Sequence, residues 1–331
     1  MKYRSRARVS TGLFLFLLLS VPAAAQISDV YVIPAAANTP GALNTYWATS
    51  FFIMNPQGHD LTVTLTFVPA GGEPGLTFDF DIGANQTLYG MNILGEDGFG
   101  VTNAAGSLLV AVFPEKNPTL PDEITARAFV VQTRTYNVLG SGATVGQGIR
   151  GAITGLVDFD LDGISAIAPG VLSEGTSGDF RTNVGAVNLS DFSATLNVTV
   201  WDVNGNSLGT FPLQLPPTGF VQDPLPIATD QPVSLEFVVQ FPAGVSPGFT
   251  DLIFPFASVI DNDTGDPTYY DPTLLATPAT IAPFKTQSAA ATPQRVRLEG
   301  VRDIVQESKY LGHAWLEREA DGTSRLVLPA R

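Results

Sequence analysis

A chain of 331 residues with a formal net charge of −14 is long enough for two domains at roughly 100–200 residues each. Its lack of cysteine excludes a disulfide scaffold, a thiolate metal site and a cysteine nucleophile. The acidic balance argues against nucleic acid and anionic membrane surfaces as partners and favours cations.

Residues 1–25 have the make-up of a secretory signal peptide. Lys2, Arg4, Arg6 and Arg8 form a basic head, residues 13–21 an apolar run, and Ala23, Ala24 and Ala25 a small-residue site for cleavage before Gln26. The apolar run falls far short of the ~20 residues that span a bilayer as a helix. The expectation is an exported protein, extracellular or periplasmic, with no membrane span in the mature chain. Residues 26–284 hold 25 Asp and Glu against five bases (Lys116, Arg127, Arg134, Arg150 and Arg181), a net of −20, whereas residues 285–331 hold eight bases and six acids.

The body of the chain is organised by an internal repeat. YWATSFFIMNPQGHDLTVTLTFVP at residues 46–69 lines up with DFRTNVGAVNLSDFSATLNVTVWD at residues 179–202, so that Thr49 falls on Thr182, Asn55 on Asn188, Thr62 on Thr195 and Thr66 on Thr199. Within the first copy, residues 47–55 are apolar on both parities, as in a strand covered on both faces. Residues 61–68 alternate, with Val63, Leu65 and Phe67 on one face and Thr62, Thr64 and Thr66 on the other. Further strands are expected at 76–82, 107–113 and 124–133, with counterparts at 208–215, 234–241 and 252–260. Gly and Pro turns separate them and helical periodicity is nearly absent. This pattern predicts an all-β chain of two tandem antiparallel β-sandwich, immunoglobulin-like repeats, at residues 26–150 and 151–285. Residues 286–293 read as a linker. Residues 294–331 form a short accessory element with a hairpin turning on Asp321 and Gly322 and a helical candidate at 301–310. The threonine faces have two readings: the wet side of a sandwich, or a flat hydroxyl array, ending in Trp201, that meets a glycan or ice.

Trp47-x-Thr49 through Asn55-Pro56, Arg134-Thr135-Tyr136-Asn137, Phe180-Arg181-Thr182-Asn183 through Asn188, and the segment Ser258-Val259-Ile260-Asp261-Asn262-Asp263-Thr264-Gly265-Asp266 give the chain a family likeness. It resembles uncharacterised exported bacterial tandem β-sandwich proteins that carry W-R-T, R-T-Y-N and D-N-x-T-G-D segments. The likeness covers residues 29–272; Ala48 stands where the first W-R-T strand would carry arginine. The resemblance implies the fold and export, and no activity.

Two histidines, His59 and His313, suggest no Ser-His-Asp arrangement, and there is no HExxH, GxSxG, Walker or dinucleotide pattern. The sharpest local signal is DFDLDG at residues 158–163. Asp158, Asp160 and Asp162 with glycine at the sixth place have the spacing of a calcium loop, although Pro169 stands where an EF-hand has its bidentate glutamate. The other reading is a strand edge with Phe159 and Leu161 turned inward. DNDTGD at residues 261–266 reads as a turn, Arg134 and Arg181 as partners in structural ion pairs, and Tyr269-Tyr270 as packing. Calcium is the sole cofactor the residues suggest.

The combined reading is a non-enzymatic exported interaction or structural module at the cell surface, matrix or periplasm, with a protein or glycan partner. A calcium-stabilised glycan-binding module is the alternative. A glycoside-active enzyme is a further one, since it needs only two carboxyls about 5–9.5 Å apart.

Overall fold

The structure, a computed structural model, describes residues 28–71, 75–121, 124–139, 141–152, 165–245, 253–275, 315–318 and 324–327. It is an antiparallel all-β sandwich structure whose longest helical piece among the described residues is the single turn Ile124–Arg127. The first half contains β1 (Val30–Pro40), β2 (Tyr46–Met54), β3 (Leu61–Pro69), β4 (Leu76–Ile82), β5 (Thr87–Gly90), β6 (Ala104–Ala111), β7 (Val130–Val138) and β8 (Thr144–Arg150). These run in the order β4-β3-β6-β1-β2-β7-β8, with β5 paired to β2.

β1 turns the corner of this sheet. Its residues from Val30 to Asn38 pair with β6, and its last three, Asn38 to Pro40, pair with β2. A bulge between Ile33 and Ala36, where Pro34 has no N–H to give to the ladder, bends the strand. The β4-β3-β6-β1 layer thereby folds over the β5-β2-β7-β8 layer. Ile33, Phe51, Ile53, Leu65, Phe67, Leu108, Val110 and Phe129 fill the space between. Burial of each such side chain stabilises by about 1.5–3 kcal/mol.

The second half contains β9 (Ser165–Ser173), β10 (Phe180–Asn188), β11 (Ala194–Trp201), β12 (Ser207–Leu215), β13 (Gly219–Pro224), β14 (Thr229–Gln240), β15 (Ile253–Asp261), β16 (Pro267–Tyr270) and β17 (Thr273–Leu275). Two sheets, β12-β11-β14-β9-β17 and β13-β10-β15-β16, enclose a core that includes Val184, Leu196, Val198, Val200, Leu235, Phe237 and Ile253. Strand for strand, β12-β11-β14-β9 follows the order of β4-β3-β6-β1, and β13-β10-β15-β16 that of β5-β2-β7-β8.

Hydrogen bonds recur at the 133-residue offset. The amide of Asn55 donates to the carbonyls of His59 and Gly83 at 2.7 and 3.2 Å, and its oxygen accepts from the N–H of Gln57 at 2.9 Å. Asn188 makes the same three bonds to Phe192, Pro216 and Ser190, at 2.7, 2.8 and 2.9 Å. Both asparagines are fully buried, where an unpaired amide or carbonyl would be costly, so each closes one strand turn onto the end of a neighbouring strand. Thr66 pairs with Thr77 as Thr199 pairs with Thr210. Thr62 donates to Asp81 as Thr195 donates to Gln214.

The halves meet through a third apolar cluster. Val32 and Val68 from the first half pack with Val187, Phe220, Phe254 and Phe256 from the second. Alternation on β10 and β15 explains how one sheet serves two cores: Val184, Ala186, Ile253 and Ala257 point into the second core, and Val187, Phe254 and Phe256 into the joint. Phe220, Phe256 and Tyr269 stack in a row, with centroids 5.9 and 6.0 Å apart. Gly185 makes room for that row, because a Cβ there would lie 2.5 Å from the Phe256 ring.

Two expectations change. Residues 124–127 form a helical turn, and the strand expected at 124–133 is Val130–Val138, since Thr135 and not an earlier residue faces Thr49, as Val259 faces Thr182. Covering on both faces belongs to β10 and β15, while β2 leaves Phe52 and Met54 exposed. In the tail, β18 (Trp315–Arg318) pairs antiparallel with β19 (Ser324–Val327); the turn expected at Asp321 and Gly322 and the helical candidate at 301–310 lie outside the described residues.

Candidate functional site

The outer surface of the β5-β2-β7-β8 layer is the candidate. Period-two alternation sends Thr49, Phe51 and Ile53 inward on β2 and leaves Phe52 and Met54 exposed on the other face, where Ser50, of the same parity, is buried. Across the ladder, Phe52 faces Tyr89 on β5 and Gln132 on β7, Ser50 faces Arg134, and Ala48 faces Tyr136. Gln132, Arg134 and Tyr136 in turn face Arg150, Gly148 and Gly146 on β8. Phe52 is 39% exposed and Tyr89 72%; their rings stack at 6.2 Å with planes 20° apart.

Arg134 is held in place. Its guanidinium lies 5.4 Å from the centre of the Tyr136 ring and donates to the Thr144 hydroxyl at 3.1 Å and to the Thr144 carbonyl at 3.3 Å. Tyr136 is itself fixed by a 2.9 Å bond from its hydroxyl to the carbonyl of Met91. Arg134 has five N–H donors, so those not turned to Thr144 remain on offer. Beside it, Gly146 and Gly148 leave a groove of about 430 Å³ lined by Phe52, Gln132, Thr133 and Arg134, within the size range of small-molecule sites. Gly146 is required by close approach, since a Cβ would meet the Tyr136 Cβ at 2.5 Å. At Gly148 the nearest atom is 4.0 Å away, so the groove is open there.

Asp158, Asp160 and Asp162, with the rest of DFDLDG, lie outside the described residues. Among the described residues no group of three or more His, Cys, Asp or Glu could hold a metal. DNDTGD is a turn: Asp261 accepts from the N–H groups of Asp263 and Thr264 at 2.9 and 2.8 Å, and the bond from Thr264 is the main reason its pKa lies below the ordinary carboxylate value. Arg181 is buried and donates to the side-chain oxygen of Asn262. Arg134 is bound to Thr144. Neither forms the ion pair with an aspartate that their setting suggested, and among the described residues the ion pairs are Lys116–Asp79 at 2.6 Å and Arg127–Asp29 at 3.6 Å.

Tyr269 packs in the joint and the Tyr270 hydroxyl donates to the carbonyl of Gly170. The threonine hydroxyls are largely engaged with cross-strand partners, and the Trp201 indole N–H donates to Glu236 at 3.0 Å. Sequence reasoning singled out Arg134 but missed Phe52, Tyr89, Gln132 and Gly148. The available signal is the even-parity apolar pair Phe52 and Met54 of β2, which in sequence reads equally as a second buried face.

No family model matches the chain, and no curated protein matches it. Among solved structures it is similar to Bacteroides uniformis β-glucuronidase 2 covalently bound to cyclophellitol-6-carboxylate aziridine, at 14% identity and a TM-score of 0.14, over 68% of this chain and 24% of that one. A calcium-binding mutant of the same enzyme gives 12%, 0.15, 74% and 26%, and a Bacteroides uniformis β-glucuronidase gives 13%, 0.14, 70% and 25%. The chain thus spans about a quarter of the length of these enzymes. At such TM-scores the likeness carries nothing about activity. No helix among the described residues is long and apolar enough to cross a membrane.

Proposed function

We propose that the protein is an exported, non-catalytic interaction module, made of two copies of one sandwich and presenting the outer surface of β5-β2-β7-β8 to a partner at the cell surface or matrix. The observation that carries this reading is the different setting of two sheets of the same strand order in the two halves. In the second half, the sheet that follows the same strand order is sealed against the first half by Phe220, Phe254, Phe256 and Tyr269. By ladder position these correspond to Thr87, Val130, Gln132 and Gly148. The corresponding surface of the first half is exposed and carries a groove, with the apolar residues Phe52, Met54, Tyr89 and Val130 exposed on it. Exposed apolar surface rimmed by polar groups is characteristic of an interaction site.

The test is adhesion of the fluorescently labelled mature protein to intact cells and wall fractions of the strain that exports it, with Gly148→Leu as the comparison. Specific binding by the parent and loss in the variant is the expected result. Equal binding by both, or none by either, rejects this surface as the module's working face. A panel of glycosides and esters turned over by the purified protein would return it to the enzymes.

A further inference from the structure

Resting on that reading, we infer that the groove at Gly148 is a saccharide site whose ligand carries a carboxylate, as a uronic-acid-containing chain does. Three features of the surface converge on this chemistry.

The first is charge. The strands β2, β5, β7 and β8 contain no aspartate or glutamate, in a chain that has 31 of them, and they contain Arg134 and Arg150. Of the five bases in residues 26–284, Lys116 is paired with Asp79, Arg127 with Asp29, and Arg181 is spent on Asn262. Arg134 and Arg150 make no ion pair among the described residues. Asp271 is raised above the ordinary carboxylate pKa by burial, with the nearby charge of Arg150 opposing the rise, and Asp97 on the neighbouring loop accepts from the N–H groups of Met91 and Asn92. The four strands of this face thus carry no carboxylate, and among the described residues neither of their two guanidiniums is ion-paired, Arg134 keeping the N–H groups not turned to Thr144. The net charge of the rest of the molecule opposes an anion only weakly at contact, because at physiological ionic strength the Debye length is ~8 Å. Fork-like guanidinium donors match a carboxylate in two-point geometry.

The second is the shape of the cavity. In the second half the equivalent ladder positions hold the stacked rings of Phe256 and Tyr269; here they hold Gln132 and Gly148. The groove therefore lies at ladder positions that hold rings in the second half, with a planar amide at one of them and no side chain at the other. The third is the wall: Phe52, stacked on the exposed Tyr89, offers an apolar flank, and Gln132 and Arg134 offer directional hydrogen bonds. Apolar contact beside a few placed polar groups, in an open groove on a rigid sheet, suits a pyranose ring and its hydroxyls.

The experiment is calorimetric titration of the full mature chain with hexagalacturonate, its fully methyl-esterified form, and a poly-glutamate of matched charge. Hexagalacturonate is expected to bind, the ester at least tenfold more weakly, and the affinity for the acid to fall as salt is raised. Arg134→Ala is expected to weaken it at least tenfold and Arg134→Lys several-fold, because lysine lacks the fork. Gly148→Leu, at a position open to 4.0 Å, should abolish binding without moving the unfolding midpoint. Equal binding of acid and ester, equal binding of poly-glutamate, or unchanged binding by a folded Gly148→Leu variant would overturn the inference. If the parent adheres to cells, Gly148→Leu does not, and no uronate binds, the saccharide assignment falls while the module reading stands. Concentration-dependent dimers of the parent that Gly148→Leu disrupts, without uronate binding, would instead assign the face to a second copy of the chain.

Discussion

Two sheets of this protein occupy the same place in the same strand order and meet opposite surroundings. In β13-β10-β15-β16 the central strands β10 and β15 are covered on both sides, and β15 runs through eight consecutive buried residues before Asp261. β5-β2-β7-β8 is buried on one side and exposed on the other at Phe52, Met54, Tyr89 and Val130. Between them the shared parts are those that make the sandwich: the buried asparagines 55 and 188, the inward parity of Phe51 and Val184, and the cross-strand threonine pairs. The differing parts are confined to the second face, where Phe256 is answered by Gln132 and Tyr269 by Gly148. The lesson is that the pattern of a sandwich tolerates wholesale change on one face of a sheet, because period-two alternation keeps that face independent of the core on the other side.

The comparison can be broken most strongly at its ring positions. Phe256→Ala should cost about 3–5 kcal/mol by opening a cavity in the joint, whereas Gln132→Ala, at the matching place, should stay within about 0.5 kcal/mol; urea unfolding of both measures the contrast. Asn55→Ala and Asn188→Ala should each cost about 2–3 kcal/mol, since each leaves buried carbonyls without a donor. Similar losses would support a shared structural role, and a neutral change at either position would break the equivalence. The DFDLDG segment has no counterpart in the first half. If Asp158, Asp160 and Asp162 hold calcium, the thermal midpoint should rise with calcium and fall back with EDTA, by about 1.4 kcal/mol at ten times Kd; an unmoved midpoint at millimolar calcium ends that assignment.

The smallest effect concerns Tyr269. Its hydroxyl is buried with no hydrogen-bond partner among the described residues, and burial first, then the charge of Asp271, pushes the phenol well above its ordinary pKa. A raised folded-state pKa favours the neutral form, so its contribution to stability is complete below the unfolded value near pH 10 and is lost as pH rises from there toward the folded value. Tyr269→Phe should be neutral to about 1 kcal/mol stabilising at pH 7 and should flatten the alkaline loss of stability followed by circular dichroism. A clear loss at pH 7 would point to a hydrogen bond that the hydroxyl makes in solution.

Much of this architecture was legible in the residues. Alternation in residues 61–68 and 194–201 named the faces of β3 and β11 correctly, because a half-buried strand writes its environment into its own sequence. The Asn-Asp-Gly turn at 261–266 was legible for the same local reason. The candidate site was not. Phe52 and Met54 look, in sequence, like residues covered by a second layer, and their counterparts Gly185 and Val187 lie in a strand that is so covered. Whether an apolar face is sealed or open depends on where the other half docks, and no local pattern encodes that.

By itself, then, the chain specifies strands, turns, the 133-residue recurrence and an acidic body with few bases, all of them set by composition and by neighbours a few residues apart. The stacking of the halves lay beyond it. That stacking joined Val32 and Val68 to Phe254 and Phe256 across more than a hundred residues and left the equivalent face of the first half exposed at Phe52 and Met54, while pairing of β2, β7 and β8 within the first half gathered Phe52, Gln132, Arg134 and Gly148 into one groove. Such contacts are made by surfaces that exist only once the sheets have formed.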